Sequence, residues 1–199
     1  MKFRLLFCAA CLFFVPLRGF TQAGRHSVGL DVKLAASGGA AAAKSGVHNS
    51  GDTSTLTKTQ SIASEPVYNV EVRNFSQSAD SLTLEWYVFA KSASSAHAQA
   101  RVHDSGKESI SIGGGKSASL TVKPKPITHE TQDSLKTTTR NDSSKGTTST
   151  SHGSRSVKGD KPAGWMMRLI AGGELVAVKA SEPSLEELGR HAEKLGALK

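Results

Sequence analysis

Large apolar side chains return at every second position in several stretches of this chain, the period at which a β-strand turns one face to a core. Residues 26–34 place Val28, Leu30, Val32 and Leu34 on one side. Residues 67–74 alternate again through Tyr68, Val70 and Val72. Residues 82–90 set Leu82, Leu84, Trp86 and Val88 against Thr83, Glu85, Tyr87 and Phe89. The second half of that strand is apolar on both faces, so it is expected to lie centrally, covered on each side.

Shorter strands are expected at 98–103, 109–112 and 119–122, with Gly113-Gly114-Gly115-Lys116 supplying the turn between the last two. Lys123-Pro124-Lys125-Pro126 should end regular pairing, since proline cannot donate to a ladder. Residues 165–170 and 175–180 flank Ala171-Gly172-Gly173-Glu174, a hairpin signal. A C-terminal amphipathic helix is predicted over 184–198. Its start is marked by the Ser184-Leu185-Glu186-Glu187 capping box, and its stripe is Leu185, Leu188, Ala192, Leu195 and Leu198. The stripe is expected to pack on the sheet, with docking on a membrane surface or a partner helix as the alternative.

Two stretches lack an apolar rhythm. Residues 37–64 are rich in Gly, Ala, Ser and Thr, and residues 128–160 are dominated by Ser and Thr. Neither offers enough apolar area to offset the ordering of the chain, so both are expected to be long mobile loops.

The N-terminus changes the picture of compartment. Lys2 and Arg4 precede an apolar run at 5–17, and Thr21-Gln22-Ala23 places small side chains where a signal peptidase cuts. Residues 1–23 therefore read as a signal peptide, too short in its apolar part for a permanent span of ~20 residues. Residues 24–199 are then one exported domain, periplasmic or extracellular, without a transmembrane helix. Both cysteines, Cys8 and Cys11, fall in the leader, leaving no disulfide framework; lipidation at Cys11 is the alternative processing. The formal charge of +8 drops to +5 when Lys2, Arg4 and Arg18 leave with the leader. That excess keeps a small protein soluble and favours encounters with polyanions.

Many short strands, glycine turns and a helix only at the end describe an all-β chain, an antiparallel β-sandwich of about seven or eight strands. Residues 68–74, ending in Asn74, then 82–90, then 115–122 with its Gly-Lys-Ser turn, resemble bacterial exported immunoglobulin-like or fibronectin-type modules. Trp86 is similar to the core tryptophan of an immunoglobulin strand, here without a cysteine pair. The resemblance spans roughly 67–122, with 165–180 as closing strands, and the long 123–164 insertion departs from it. It implies an immunoglobulin-like sandwich with a non-catalytic role in adhesion, spacing or assembly.

Candidate chemistry is sparse. Gly113-Gly114-Gly115-Lys116-Ser117 fails as a phosphate loop, because Ile110 stands where the first glycine belongs and a strand follows instead of a helix. His129-Glu130 with Asp133 is the one local group of metal-ligand types, short of the three or four converging ligands a site needs. Glu85 alternates with Trp86 and is expected to face solvent or pair across strands. Tyr87 and Phe89 fit a core better than a base-stacking platform. Asn74-Phe75-Ser76 and Asn141-Asp142-Ser143 match glycosylation acceptors, relevant only in a eukaryote.

The expected function is that of a non-enzymatic interaction or structural module of the cell envelope, binding an unidentified protein or envelope polymer, with no cofactor, metal or nucleic acid. A first alternative is polyanion binding through the Ser/Thr-rich segment, with Lys136, Arg140, Lys145, Arg155 and Lys158 as contacts. A second is an exported hydrolase in which His103, His129 or Glu85 meets a serine in space.

Overall fold

The computed structural model describes residues 27–142 and 144–191. The expected leader, and positions 192–198 of the expected helix, lie outside them. The described residues form nine strands and one helix: β1 (Val28–Gly38), β2 (Ala41–Ser50), β3 (Thr53–Asn74), β4 (Asp80–Ser92), β5 (Arg101–Ile112), β6 (Ser117–Val122), β7 (Ile127–Asp142), β8 (Gly146–Ala171), β9 (Glu174–Ala180) and α1 (Pro183–Arg190). All pairings are antiparallel. The main path runs β1-β3-β7-β8-β4-β5, with β2 and β6 also on β3 and β9 on β8.

Two of these strands, β3 and β8, change partners half-way. The second half of β3 pairs with β1 and β6. The second half of β8 pairs with β4 and β9, and β4 continues to β5. These two layers share one core, in which Val32, Tyr68, Val70, Val72 and Val122 meet Leu82, Leu84, Val88, Met167 and Leu169. Together they are the body of the molecule.

The β4–β8 layer is apolar on its other face as well. There Tyr87, Phe89 and Met166 are buried against Leu185 of α1, with Val102, Val178 and Leu188 packed around them. Helix α1 covers that face, so the expectation of a central strand covered on both sides and of a helix stripe on the sheet holds for Leu185 and Leu188. Its start differs from the expected capping box. Glu182 occupies the cap position without a side-chain hydrogen bond and Pro183 opens the helix, which puts Ser184 inside the first turn. Proline at the first helical position is favoured because its missing N–H has no intrahelical partner there in any case. Close approach of α1 depends on Gly189, where a Cβ would lie 2.5 Å from Met166 Sδ and 2.9 Å from Val178 Cγ1.

The largest correction concerns the two stretches expected to be loops. Residues 41–50, the first half of β3, β7 and the first half of β8 form a four-stranded antiparallel arm in the order β2-β3-β7-β8. It continues the two long strands beyond the body. The ladder runs unbroken from Ser50↔Thr53 to Ala41↔Ile62, from Thr53↔Thr138 to Ser64↔Ile127, and from His129↔Gly159 to Asp142↔Gly146. Main-chain hydrogen bonds need no apolar side chain, and β-branched threonine suits a pleated surface. Hydroxyl pairs add to the ladder, as between Thr137 and Ser151 at 3.1 Å and between Thr139 and Ser149 at 3.4 Å. The turns at the far end use Gly51 (φ 56°) and Gly146 (φ 85°), backbone states that favour glycine.

Where the arm joins the body, β3 carries Pro66. Between Ser64, the last residue paired with β7, and Tyr68, the first paired with β6, that side of β3 has no ladder partner. A residue without an N–H is tolerated in such a gap.

A second correction concerns β5. Residues 101–103 and 109–112 belong to one strand, which leaves 98–100 of the first expected strand outside it, and the intervening 104–108, which reads as loop by composition, is paired with β4. Gly106 lies opposite Trp86, and a Cβ there would fall 2.5 Å from the indole, so the glycine makes room for the ring. The 171–174 hairpin is as expected. The proline-rich 123–126 segment interrupts pairing as expected and is tied to β5: Lys125 N–H donates to Asp104 Oδ2 (2.8 Å), and His103 Nε2 lies 3.2 Å from the Pro126 carbonyl.

Candidate binding surface

The arm exposes both of its faces, and strand alternation sorts its side chains cleanly because no register shift interrupts its three ladders. One face carries Val47, Leu56, Leu135 and Gly153 as a single cross-strand row. The three apolar members stand 64%, 45% and 44% exposed. The neighbouring row is Ser45, Lys58, Asp133 and Arg155, in which Arg155 Nε lies 3.6 Å from Asp133 Oδ1. The β3, β7 and β8 members of these two rows (Leu56, Lys58, Leu135, Asp133, Gly153 and Arg155) line a shallow depression on the arm.

The opposite face is built otherwise. Thr53, Thr55, Thr57, Thr59 and Ser61 follow one another on β3. Lys136 and Arg140 stand on β7, Lys44 on β2 and Lys158 on β8, all exposed. Glu130, opposite Lys158, accepts a long hydrogen bond from Ser61 Oγ at 3.5 Å, and the register puts a second acid, Asp142, on the same side at the end of β7. His48 and His152 flank the Thr55–Lys136 pair in one row.

The five cations singled out from the sequence are therefore divided. Lys136, Arg140 and Lys158 share the hydroxyl face, Lys145 sits in the turn at the far end, and Arg155 lies on the apolar-row face beside Asp133. Lys44 joins the first three and was missed, because 37–64 reads as loop. The signal was present: threonine at positions 53, 55, 57 and 59 is a period-two pattern written in hydroxyls, and Ser50-Gly51-Asp52 is a turn between two matched stretches.

Alternation also separates the candidate metal group. His129 and Asp133 fall on the apolar-row face and Glu130 on the other. Among the described residues no three such side chains converge.

Ionisable groups do converge inside the body. Glu85 lies opposite Arg168 on one neighbour and Lys107 on the other, so it is paired across strands, and it is buried instead of facing solvent. Its Oε2 accepts from Arg168 Nη1 (3.2 Å) and from the Tyr87 hydroxyl (3.3 Å), and its Oε1 lies 2.5 Å from Lys107 Nζ. Arg168 Nε is buried without a hydrogen-bond partner among the described residues. The hydrogen bond to Glu85, followed by its charge, holds the Lys107 ammonium above the ordinary lysine range. Burial first, then the Glu85 charge, raises the Tyr87 phenol. Burial alone pushes Tyr68 up to about 12; its ring lies 5.6 Å from that of Trp165. Charges held in this way organise a fold as well as a reaction.

Asn74 is buried as well. Its amide donates to the Ser78 carbonyl (2.8 Å), and its Oδ1 accepts from Ser76 N–H (2.9 Å) and Ser76 Oγ (2.7 Å), closing the β3–β4 turn. The asparagine of that acceptor sequence is thus a turn-forming residue.

No family model matches the chain, and no curated protein matches it. Two similar solved structures are the Bacteroides uniformis β-glucuronidase and Bacteroides uniformis β-glucuronidase 2 covalently bound to cyclophellitol-6-carboxylate aziridine, each at 13% identity and a TM-score of 0.22. The alignments cover 67% of this chain and only 15% of those enzymes, and a likeness so slight carries no argument about fold or activity. No helix among the described residues is long and apolar enough to cross a membrane.

Proposed function

We propose that the chain is an exported, non-enzymatic binding module of the cell envelope: an immunoglobulin-like sandwich that holds out a four-stranded arm as its contact element. The observation that supports it is the arm itself. Its strands are continuous with the buried strands of the body, yet its own side chains stand largely in solvent on both faces. A sheet of this kind gains little from burial, so its regular, wide, open surface is best understood as something offered to a partner. Of the groups named for a hydrolase, Glu85 is held by Arg168, Tyr87 and Lys107, His103 faces the Pro126 carbonyl, and His129 stands apart from both on β7 of the arm.

Affinity capture from envelope extract with the full mature chain tests this. Changing Thr55, Thr57 and Lys136 on one face and Leu56 and Leu135 on the other to glutamate should abolish capture, whereas changing exposed Lys33 and Arg73 on β1 and β3 of the body should not. Turnover of an ester, peptide or glycoside by the purified chain, lost on one point substitution, would overturn the reading.

A further inference from the structure

The two faces of the arm differ in a way that selects a partner. The apolar-row face holds the large exposed hydrophobics, sets Lys58 and Arg155 beside Asp133, and carries the Thr137–Ser151 and Thr139–Ser149 hydroxyl pairs nearer the tip. The hydroxyl face holds four cations against Glu130, with Asp142 on the same side by register at the end of β7, and between them stand short hydroxyl side chains of β3, β7 and β8. We infer that the hydroxyl face is a binding track for a linear acidic polysaccharide, with Lys44, Lys136, Arg140 and Lys158 pairing with its carboxylate or sulfate groups. The inference rests on the reading of the arm as contact element.

Spacing supports a polymer over a small anion. Lys136 and Arg140 are four residues apart on one strand, about 14 Å at the usual rise per residue. The ladder position of Lys158 is ten residues from that of Arg140, roughly 34 Å along the arm. Lys44 and Lys158 stand on opposite edge strands, about 14 Å apart across the sheet. No single phosphate spans such distances, whereas a chain charged at each repeat meets all four cations at once. Each exposed ion pair contributes modestly, and the contacts add along one molecule.

The hydroxyls point to sugar. Thr53, Thr55, Thr57 and Thr59 present donors and acceptors in register, the complement of a polyol. A lipid surface would call for apolar side chains beside the cations, as interfacial elements show. In this protein Val47, Leu56 and Leu135 lie on the reverse side of the sheet, facing away from the four cations.

The test uses the full mature chain with heparin and polyuronate as probes, neutral dextran as the uncharged control, and phosphatidylglycerol vesicles as the rival anion. Binding to heparin or polyuronate should be at least about tenfold weaker in the K44Q/K136Q/R140Q/K158Q variant, four contacts each giving a factor of roughly two. The K58Q/R155Q variant on the reverse face should bind as the parent does. Binding should vanish near ~0.5 M salt, where screening shortens charge attraction to a few ångströms. Equal binding by the parent and the fourfold variant would overturn the inference, as would an equal loss in K58Q/R155Q, or vesicles bound while both polysaccharides are not. If the inference fails in any of these ways while substitutions in the arm still abolish capture from extract, the polymer is wrong and the module reading stands. If arm substitutions leave capture intact, that reading falls instead.

Discussion

The same two strands behave differently at their two ends. In the body half of β3, Tyr68, Val70 and Val72 are sealed from solvent, and in the body half of β8 Met166, Met167 and Leu169 are too. In the arm half, both strands keep their ladders while their side chains are exposed or half-buried Thr, Ser, Lys and Leu. Pairing and burial are thus separate contributions. A ladder extends wherever the backbone has a neighbour and the residues suit a pleat, but the free energy of the fold resides where apolar surface leaves water. The arm is ordered by attachment to a body that is already stable.

The sharpest way to break this comparison is to remove a large side chain from each half. Phe89→Ala in the body, at a residue with no solvent exposure, should cost about 3–5 kcal/mol in chemical denaturation. Leu56→Ala in the arm should stay within roughly 0.5 kcal/mol. Similar losses at the two positions would refute the separation of pairing from burial.

Next in size is the buried ion pair. Glu85→Gln leaves the Arg168 charge in a site only 7% exposed, with a predicted loss of about 3 kcal/mol. Adding Arg168→Met to that variant should recover part of the loss, because a buried cation without its carboxylate is worse than no cation. A double variant less stable than Glu85→Gln would show that the arginine contributes through packing alone.

Gly189→Ala tests the helix that covers the second face. The new methyl would press on Met166 and Val178, and overpacking of this kind costs about 1–3 kcal/mol. An unchanged midpoint would mean that α1 shifts outward freely.

The mildest probe is titration of the two tyrosines, both of which belong to the body. Their phenols are raised in the folded state, Tyr68 to about 12. The contribution of Tyr68 to stability is complete below the unfolded value near 10 and is lost as pH climbs towards about 12. Phenolate absorbance should therefore rise later than in the unfolded chain, and the thermal midpoint should fall over that interval. A normal titration at about 10 would place Tyr68 in contact with water.

How much of this was legible in the sequence follows the same division. The body strands announced themselves through large apolar residues at alternate positions, as at 68–72 and 82–88. The hairpin at Gly172-Gly173 and the break at Pro124 and Pro126 were readable from backbone chemistry alone. The arm was not, because its period is carried by threonine and serine, which also crowd loops. Of the proposed contact residues, Lys136, Arg140 and Lys158 could be picked out as cations in a polar tract. Their sharing one face with Lys44, and the placement of Arg155 on the other, depends on register, which only the paired structure supplies.

Both of the arm's turns, at Gly51 and Gly146, lie at the end remote from the body. Reach is consequently a matter of residue count. Deleting one opposed pair of dipeptides from each hairpin withdraws the tip by about 7 Å and leaves every remaining side chain on its original side. Adding such pairs would lengthen the projection without asking anything of the core, so the molecule's span can be tuned independently of its stability.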